Sequence, residues 1–258
     1  MNNFFIDSHT HLYLPEFSAN IEETISSCKD LNIQKLLLPN IDSLSIQPLL
    51  HLCATFPDIC YPMIGLHPCS VKENYLAELT IIESYLKNHN IIAIGEIGID
   101  LYWDKTSLEI QKEAFITQLN WAKKYSLPIV IHARDSFNEL FEILDIHNDD
   151  NLTGVFHCFT GNVHQANKII DYGGFKLGVG GVVTFKNAGL DKTLSNISLE
   201  HLIIETDAPY LAPHPYRGKQ NCSTNLILIA EKLATIYQCS LENIASTTTK
   251  NTIDVFKL

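Results

Sequence analysis

The sequence lacks both a long apolar run and a basic N-terminal segment. No stretch approaches the roughly 20 apolar residues of a membrane-spanning helix, and no cationic region precedes Asp7 near the N-terminus. We therefore expect neither a membrane span nor a secretory signal peptide. The seven cysteines are odd in number and include no C-x-x-C pair, so we expect no disulfide framework and predict a reducing compartment, the cytoplasm.

Positive charge is also scarce. The 18 Lys and Arg residues are outnumbered by 29 Asp and Glu residues, which leaves a formal net charge of -11. Broad nucleic-acid-binding surfaces are usually built from clustered Lys and Arg, so the composition argues against a surface of that kind. It does not exclude a nucleic-acid substrate that is held locally by metal ions.

No linker, low-complexity stretch or charge block divides the chain, and we predict a single domain over residues 1–258. Short, continuously apolar runs alternate with longer amphipathic segments, a pattern typical of parallel strands covered on both faces. The eight candidate strands are Phe4–Asp7, Ile33–Leu38, Cys60–Gly65, Ile91–Glu96, Leu127–His132, Thr153–His157, Gly174–Val179 and His201–Glu205. The candidate helices include Ile21–Lys29, Ala77–Asn88, Leu108–Tyr125, Phe137–His147, Asn225–Tyr237 and Leu241–Phe256.

Eight strands with helical segments between them predict an α/β protein with a (β/α)8 TIM-type barrel. The alternative is a doubly wound open sheet. That fold needs neither an eighth strand nor a polar residue at nearly every strand end, so the pattern favours the barrel.

Several candidate strands end in side chains that can bind a metal. His9 and His11 lie two residues apart after the first strand, so their side chains share a face. The carboxyl ends of barrel strands converge on one rim, where buried carboxylates need a compensating charge. The six candidate ligands are His9, His11, Glu96, His132, His157 and Asp207.

Six ligands are too many for one tetrahedral ion and predict two divalent ions that share a bridge. Glu96 is the candidate bridge, because a carboxylate has two oxygens. Four neutral imidazoles, two carboxylates and two dications leave a local charge of about +2, which favours an anionic group such as a phosphodiester. This ligand set suits Zn, Mn or Co better than Mg alone. Asp207 is also the candidate acceptor of a proton from the attacking water.

Further residues near the strand ends are candidate substrate contacts. Arg134 is predicted to bind phosphate, and the alternative is a surface salt bridge. The loop residues Arg217 and Lys219 are also predicted to bind phosphate, and their alternative is a solvated loop. His67 is predicted to contact substrate or to pack. Glu205 is predicted to order phosphate or water, with a buried salt bridge as the alternative.

Three predictions concern neighbouring residues. Asp7 shares a face with His9 and is expected to orient it. Tyr102 and Trp103 are expected either to stack on a base or to pack their loop. Cys158 follows a candidate ligand and is expected to point to the opposite face, into the core.

The residues of these motifs resemble the TatD-type deoxyribonuclease family within the metal-dependent amidohydrolase-like barrels. The resemblance runs from Ile6 to Asn221 and is carried by the segments IDSHTH, GLHP, GEIGIDLYW, LPIVIHARD, GVFHCFTGN, LGVGGVVTFKNA and ETDAPYLAPHPYRGKQN. The sequence departs from the family at Cys222 and Ser223, where Glu-Pro is common, and at Cys69, where many relatives carry His.

The resemblance implies metal-dependent hydrolysis of phosphodiester bonds, commonly of DNA and often from the 3′ end. It implies that His9, His11 and Asp207 hold one metal. It assigns His132 and His157 to the other metal, with Glu96 between the two.

Two other functions stay open at this point. Metal-activated hydroxide also attacks carbonyl carbon, so a D-aminoacyl-tRNA deacylase or another ester hydrolase fits the same ligands. A non-catalytic metal-binding barrel is the third interpretation. Single-stranded DNA is the predicted partner, as substrate, and no obligate protein partner is evident.

Overall fold

Parallel strands alternate with helices in the computed structural model of the protein, which describes residues 4–87 and 90–258. The strands are β1 (Phe5–Asp7), β2 (Ile33–Pro39), β3 (Cys60–Met63), β4 (Ile94–Asp100), β5 (Ile129–Arg134), β6 (Gly154–Phe156), β7 (Phe175–Val179) and β8 (Leu202–Ile204). The helices are α1 (Ile21–Asp30), α2 (Ile46–Thr55), α3 (Tyr75–Leu86), α4 (Leu108–Tyr125), α5 (Phe137–His147), α6 (Val163–Asp171), α7 (Leu190–Leu194), α8 (Leu226–Tyr237) and α9 (Leu241–Phe256).

The strands pair in chain order as two parallel ladders, β1-β2-β3 and β4-β5-β6-β7-β8. Two isolated parallel bridges join the ladders, Met63 with Ala93 and Thr10 with Ala208. Backbone hydrogen bonds support both junctions, for example from Ser8 N–H to the Ile204 carbonyl at 3.1 Å. The two ladders are thus connected at both junctions, whereas a doubly wound fold would leave free sheet edges. The predicted (β/α)8 barrel is confirmed.

Apolar side chains fill the end of the barrel at which the strands begin. One cluster joins Ile6, Leu37, Val130 and Ile203 from four different strands. Phe256 of α9, which is 3% exposed, packs into the same cluster. Helix α9 therefore closes this end, and any site must lie at the carboxyl ends of the strands, as is usual for the fold.

Every strand differs from its predicted range by at least one residue, and two of these differences affect the site. Strand β4 was expected over Ile91–Glu96, yet it begins at Ile94 and continues to Asp100, because its pairing with β5 extends that far. Glu96 therefore lies inside a strand. Strand β8 is shorter than its predicted range, so Glu205 lies just beyond it.

The predicted bounds of α4, α5 and α9 agree with the structure, since their amphipathic patterns are long and uninterrupted. Asn88, the predicted end of the third helix, lies outside the described residues. Among the described helices, none is long and apolar enough to cross a membrane.

Candidate metal centre

A cavity of about 890 Å³ opens at the carboxyl ends of the strands. Five of the six candidate ligands line it directly, and the sixth, His9, lies buried beside them. These residues come from the ends of β1, β5, β6 and β8 and from the middle of β4. The barrel therefore brings together side chains from both ends of the chain.

The segments that follow β1 and β8 run side by side and place three of the candidate ligands. The backbone N–H of Asp207 donates to the His9 carbonyl at 2.9 Å, and His11 N–H donates to the Ala208 carbonyl at 2.7 Å. The two Nε2 atoms of His9 and His11 lie 3.3 Å apart. Asp207 Oδ1 is 3.5 Å from His11 Nε2. All three side chains therefore present a donor atom to the same point.

Each oxygen of the Glu96 carboxylate faces a different group of imidazoles. Oε2 lies 3.1 Å from His9 Nε2. Oε1 lies 2.7 Å from His132 Nδ1 and 3.5 Å from His157 Nε2. At 2% exposure, Glu96 is enclosed by these rings. Its carboxylate lies between the two groups, as a bridging ligand would.

The spacing of the donor atoms suits a divalent metal. Ligand atoms bound at 2.0–2.2 Å in a tetrahedral site lie about 3.3–3.6 Å from one another. The corresponding atoms of His9, His11, Glu96 and Asp207 are separated by 3.1, 3.3, 3.5 and 3.8 Å. The donor set therefore fits a metal ion in both chemistry and size.

The electrostatics of the site keep its carboxylates ionised. Burial by itself raises the pKa of Glu96, but the imidazoles around it, led by His67 and His157, outweigh burial and hold the pKa well below its usual range. Burial likewise lowers the pKa of His157, yet the carboxylates of Glu205 and Glu96 outweigh it and raise the pKa to about 10. Buried carboxylates of this kind require a nearby positive charge, which a divalent cation supplies.

Asp100 belongs to the site, although the sequence reasoning gave it no role. Its Oδ2 lies 2.9 Å from His132 Nε2. Burial raises the pKa of Asp100, but His132 outweighs burial and lowers the pKa to about 2. Between Glu96 and Asp100 on the strand, Gly98 leaves room for β5, since a Cβ there would meet the His132 carbonyl at 2.1 Å. The sequence contained an indication of this role, because residues 96, 98 and 100 share one face of a strand and Asp100 therefore lies on the same side as Glu96.

Glu205 does not line the cavity, contrary to its predicted role as a substrate contact. The side chain is buried, and its Oε1 lies 2.9 Å from His157 Nδ1. It also accepts a hydrogen bond from the Cys158 backbone N–H. The geometry corresponds to the buried ion pair that was the alternative, since β8 ends at Ile204 and the next side chain turns towards the ring of His157.

Asp7 contacts the backbone of His9 rather than its ring. Asp7 Oδ1 accepts from the His9 N–H at 3.4 Å and from the Thr206 N–H at 2.9 Å. The Thr206 hydroxyl donates to Oδ2 at 2.6 Å. Asp7 therefore ties together the two segments that carry His9 and Asp207, instead of orienting the imidazole as expected.

The prediction that Cys158 points away from the site is wrong. Strand β6 ends at Phe156, so the alternation of faces no longer applies two residues later. Cys158 has φ 45° and lines the cavity beside His157 and Asp207. Burial, reinforced by Asp207, raises the pKa of the thiol well above its usual range, which keeps the sulfur protonated.

The remaining predicted substrate contacts all line the cavity: His67, Arg134, Arg217 and Lys219. His67 Nδ1 accepts a hydrogen bond from the Cys69 N–H at 3.0 Å, so the neutral ring carries its proton on Nε2, 3.3 Å from Glu96 Oε1. The Arg134 guanidinium lies 3.7 Å from the centre of the Tyr102 ring. In the described part of the chain, no carboxylate lies within salt-bridge distance of Arg134, so the expected alternative of a salt bridge is not observed.

The chain matches a family model described as TatD related DNase over residues 6–257. It is 35% identical over 253 residues to the uncharacterized metal-dependent hydrolase YabD of Bacillus subtilis (strain 168), covering 98% of both chains. YjjV, a TatD homolog from Escherichia coli K12, has a solved structure with a TM-score of 0.93 and 28% identity, covering 100% of both chains. A TatD family hydrolase from Entamoeba histolytica shares the fold, with a TM-score of 0.84 and 22% identity over 99% of both chains.

The chain therefore belongs to the TatD-related family of metal-dependent hydrolases, and the resemblance seen in its motifs is confirmed. Membership of this family and the clustered imidazoles and carboxylates agree on a divalent metal as cofactor.

Proposed function

We propose that this protein is a deoxyribonuclease that removes nucleotides from the 3′ end of single-stranded DNA with two divalent metal ions. The observation that carries this proposal is the arrangement of Glu96, whose two oxygens face separate groups of ligand atoms. Pairs of metal ions that share a bridging ligand are typical of phosphodiester hydrolysis, because they act on both the attacking and the leaving oxygen.

The proposed ligands divide into two groups around Glu96. His9, His11 and Asp207 would hold one ion, and His132 and His157 the other. Bound divalent ions acidify water and neutralise developing charge on phosphoryl oxygens, and Zn, Mn, Mg and Co all supply this chemistry.

Asp207 is the proposed acceptor of the proton from the attacking water. Burial raises its pKa, but the charge of His157 and a hydrogen bond from His11 outweigh burial and lower the pKa; a metal ion held by these rings would supply the positive charge in place of a protonated His157. The carboxylate is consequently ionised at neutral pH, and it lies on the cavity wall within reach of a substrate.

Two arginines support a phosphate-containing substrate. Arg134 and Arg217 are the only arginines in the sequence, and both line this cavity. The Arg217 guanidinium lies 4.5 Å from the centre of the Phe185 ring. Within residues 4–87 and 90–258, neither guanidinium has a carboxylate at salt-bridge distance, so both are free for bidentate contacts with phosphate. Lys219 also lines this cavity and adds a positively charged donor.

This arrangement explains how a chain with a net charge of -11 can take an anionic substrate. Arg134, Arg217 and Lys219 line one cavity, and bound divalent ions would add to the positive charge there. We also propose that residues 1–258 form one domain and that the protein acts in the cytoplasm. The described cysteines support the latter, because all seven are free thiols.

The test is a parallel assay of metal-reconstituted enzyme on 3′-labelled single-stranded DNA and on charged D-aminoacyl-tRNA. Release of labelled nucleotide in the presence of metal is the expected result. Release of amino acid without nucleotide would replace the nuclease by the deacylase. Full metal occupancy with no hydrolysis of either substrate would favour a non-catalytic barrel.

A further inference from the structure

A second cavity of about 780 Å³ adjoins the metal cavity. It lies around the beginnings of α5 and α6 and reaches Thr193 of α7. Its lining shares three residues with that of the metal cavity, namely Ala133, Arg134 and Thr160. The two cavities are therefore neighbours, and both are in contact with Arg134. A volume of this size is typical of a ligand pocket, about 300–1,000 Å³.

The boundary between the cavities is a cluster of Arg134, Tyr102 and Trp103. The Arg134 guanidinium lies 3.7 Å from the Tyr102 ring centre and 5.6 Å from that of Trp103. Tyr102 is 54% exposed and lines the second cavity, whereas Trp103 is 72% exposed and lines the metal cavity. A guanidinium that packs beside two exposed aromatic rings combines a phosphate contact with surfaces on which bases stack.

The other walls of the second cavity suit a nucleoside better than a phosphate. Their neutral polar side chains are those of Ser136, Asn138, Thr160, Asn162, Gln165 and Thr193. Asp135 and Glu139 add two carboxylates, and Arg134 is the only cation among the described residues that line this cavity. Amide and hydroxyl groups bond to base edges and to sugars, while the carboxylates disfavour a phosphate away from Arg134.

We propose that the second cavity is a nucleotide subsite for the DNA strand that leaves the metal cavity. The phosphate upstream of the scissile bond contacts Arg134, and the nucleoside on its 5′ side enters the second cavity. The inference rests on the proposed nuclease function and adds to it a substrate class: strands of three or more nucleotides. A dinucleotide has no residue to fill the second cavity and loses this contact.

The test fills the second cavity without touching the metal site. Ala188 is exposed and lines only the second of the two cavities, so Ala188→Trp blocks it. Wild-type enzyme is expected to show a kcat/KM at least roughly tenfold higher for a single-stranded hexanucleotide than for a dinucleotide, the effect of one stacked base. In Ala188→Trp this preference is expected to fall below about threefold, because the stacking contact is lost. The kcat/KM for the dinucleotide is expected to stay within about twofold of wild type, because the dinucleotide does not reach the second cavity.

The matched control is Ala77→Trp, the same change at an exposed position of α3 that lines neither cavity. It is expected to retain the wild-type preference for the hexanucleotide. Thermal melting of all three proteins verifies that the substitution at position 188 has not unfolded the chain. If Ala188→Trp does melt early, Ala188→Phe replaces it.

The possible outcomes distinguish a failure of the proposed nuclease function from a failure of the proposed subsite. If wild-type enzyme hydrolyses neither substrate, the nuclease function is overturned and the subsite with it. If DNA is hydrolysed but the hexanucleotide has no advantage, or Ala188→Trp leaves its advantage intact, only the subsite is overturned.

Discussion

The two ends of the barrel bury opposite kinds of side chain. Where the strands begin, Leu37 and Val130 pack against Phe256 in an apolar cluster. Where the strands end, Glu96 and His157 are buried just as completely, although both can carry charge. Burial of apolar surface stabilises the fold, whereas buried ionisable groups cost free energy unless they are well paired. The comparison shows that apolar packing where the strands begin contributes stability, while the buried ionisable groups where the strands end carry the chemistry.

The largest expected effect is a loss of turnover, and it concerns the end of the barrel where the strands end and the candidate metal ligands lie. Asp207→Asn keeps the shape of the side chain but removes its ability to accept a proton, so turnover should fall roughly 10²–10⁴-fold. The chain should still fold, because the amide keeps the size of the carboxylate, but added metal should raise the melting temperature of the variant less than that of the wild type. Steady-state kinetics on labelled DNA and a melting curve check both parts, and near-normal turnover would refute the assignment.

The apolar end should show the reverse behaviour. Phe256→Ala removes a ring that is 3% exposed, and the free energy of unfolding should fall by about 3–5 kcal/mol. The kcat of the protein that remains folded should be unchanged. Urea unfolding measures the change in stability, and activity is measured at urea concentrations below the unfolding transition. A large loss of kcat without loss of stability would contradict the contrast between the two ends of the barrel.

Glu96→Gln is expected to weaken metal binding, because it changes the proposed bridging ligand. An amide is a poor bridge, so the bound metal should fall from two ions per chain towards one. Because ligand binding stabilises the folded state by about 2.7 kcal/mol at 100 times Kd, metal should raise the melting temperature of the variant less than that of the wild type. The control is Glu109→Gln at an exposed side chain of α4. Equal metal content in all three proteins would count against a bridge.

A smaller effect is expected at Glu205, which contacts His157 and not the cavity. Glu205→Gln should lower metal affinity or activity by roughly 10–100-fold, the usual result of losing a partner behind a ligand. Raising the metal concentration should restore much of the activity. Metal titrations that match wild type while kcat drops would instead point to direct contact with substrate.

The smallest effect belongs to the rim of the cavity. Arg217→Ala should raise KM for DNA with little change in kcat. The slope of log affinity against log salt should become shallower by about 0.7, the value for one phosphate contact on a single strand. An unchanged slope would mean that Arg217 does not contact phosphate.

Much of this molecule was predictable because two of its signals are local. Continuous apolar runs predicted the strands, and the long periodic segments predicted α4 and α5 to the residue. The spacing of His9 and His11 was enough to predict that their rings meet. The position of Glu96 inside β4 was not, because strand length depends on how far the neighbouring strand continues to pair.

The errors lie where the chain leaves a strand. Cys158 was placed on the wrong face because side-chain alternation was extended beyond the end of β6. Glu205 was expected at the substrate for the same reason. Beyond the last paired residue, the side-chain direction depends on tertiary contacts such as the one with His157, which no local pattern encodes.

The scarcity of positive charge, by itself, excluded a broad basic surface, and the order of apolar runs and polar strand ends determined the barrel and the six candidate ligands. These properties follow from residue type and spacing alone. Only the tertiary structure decided that Glu96 lies between two groups of imidazoles, that Asp100 joins them, and that a second cavity adjoins the first at Arg134. Such distances are set by how distant strands and loops pack against one another, which spacing along one chain cannot specify.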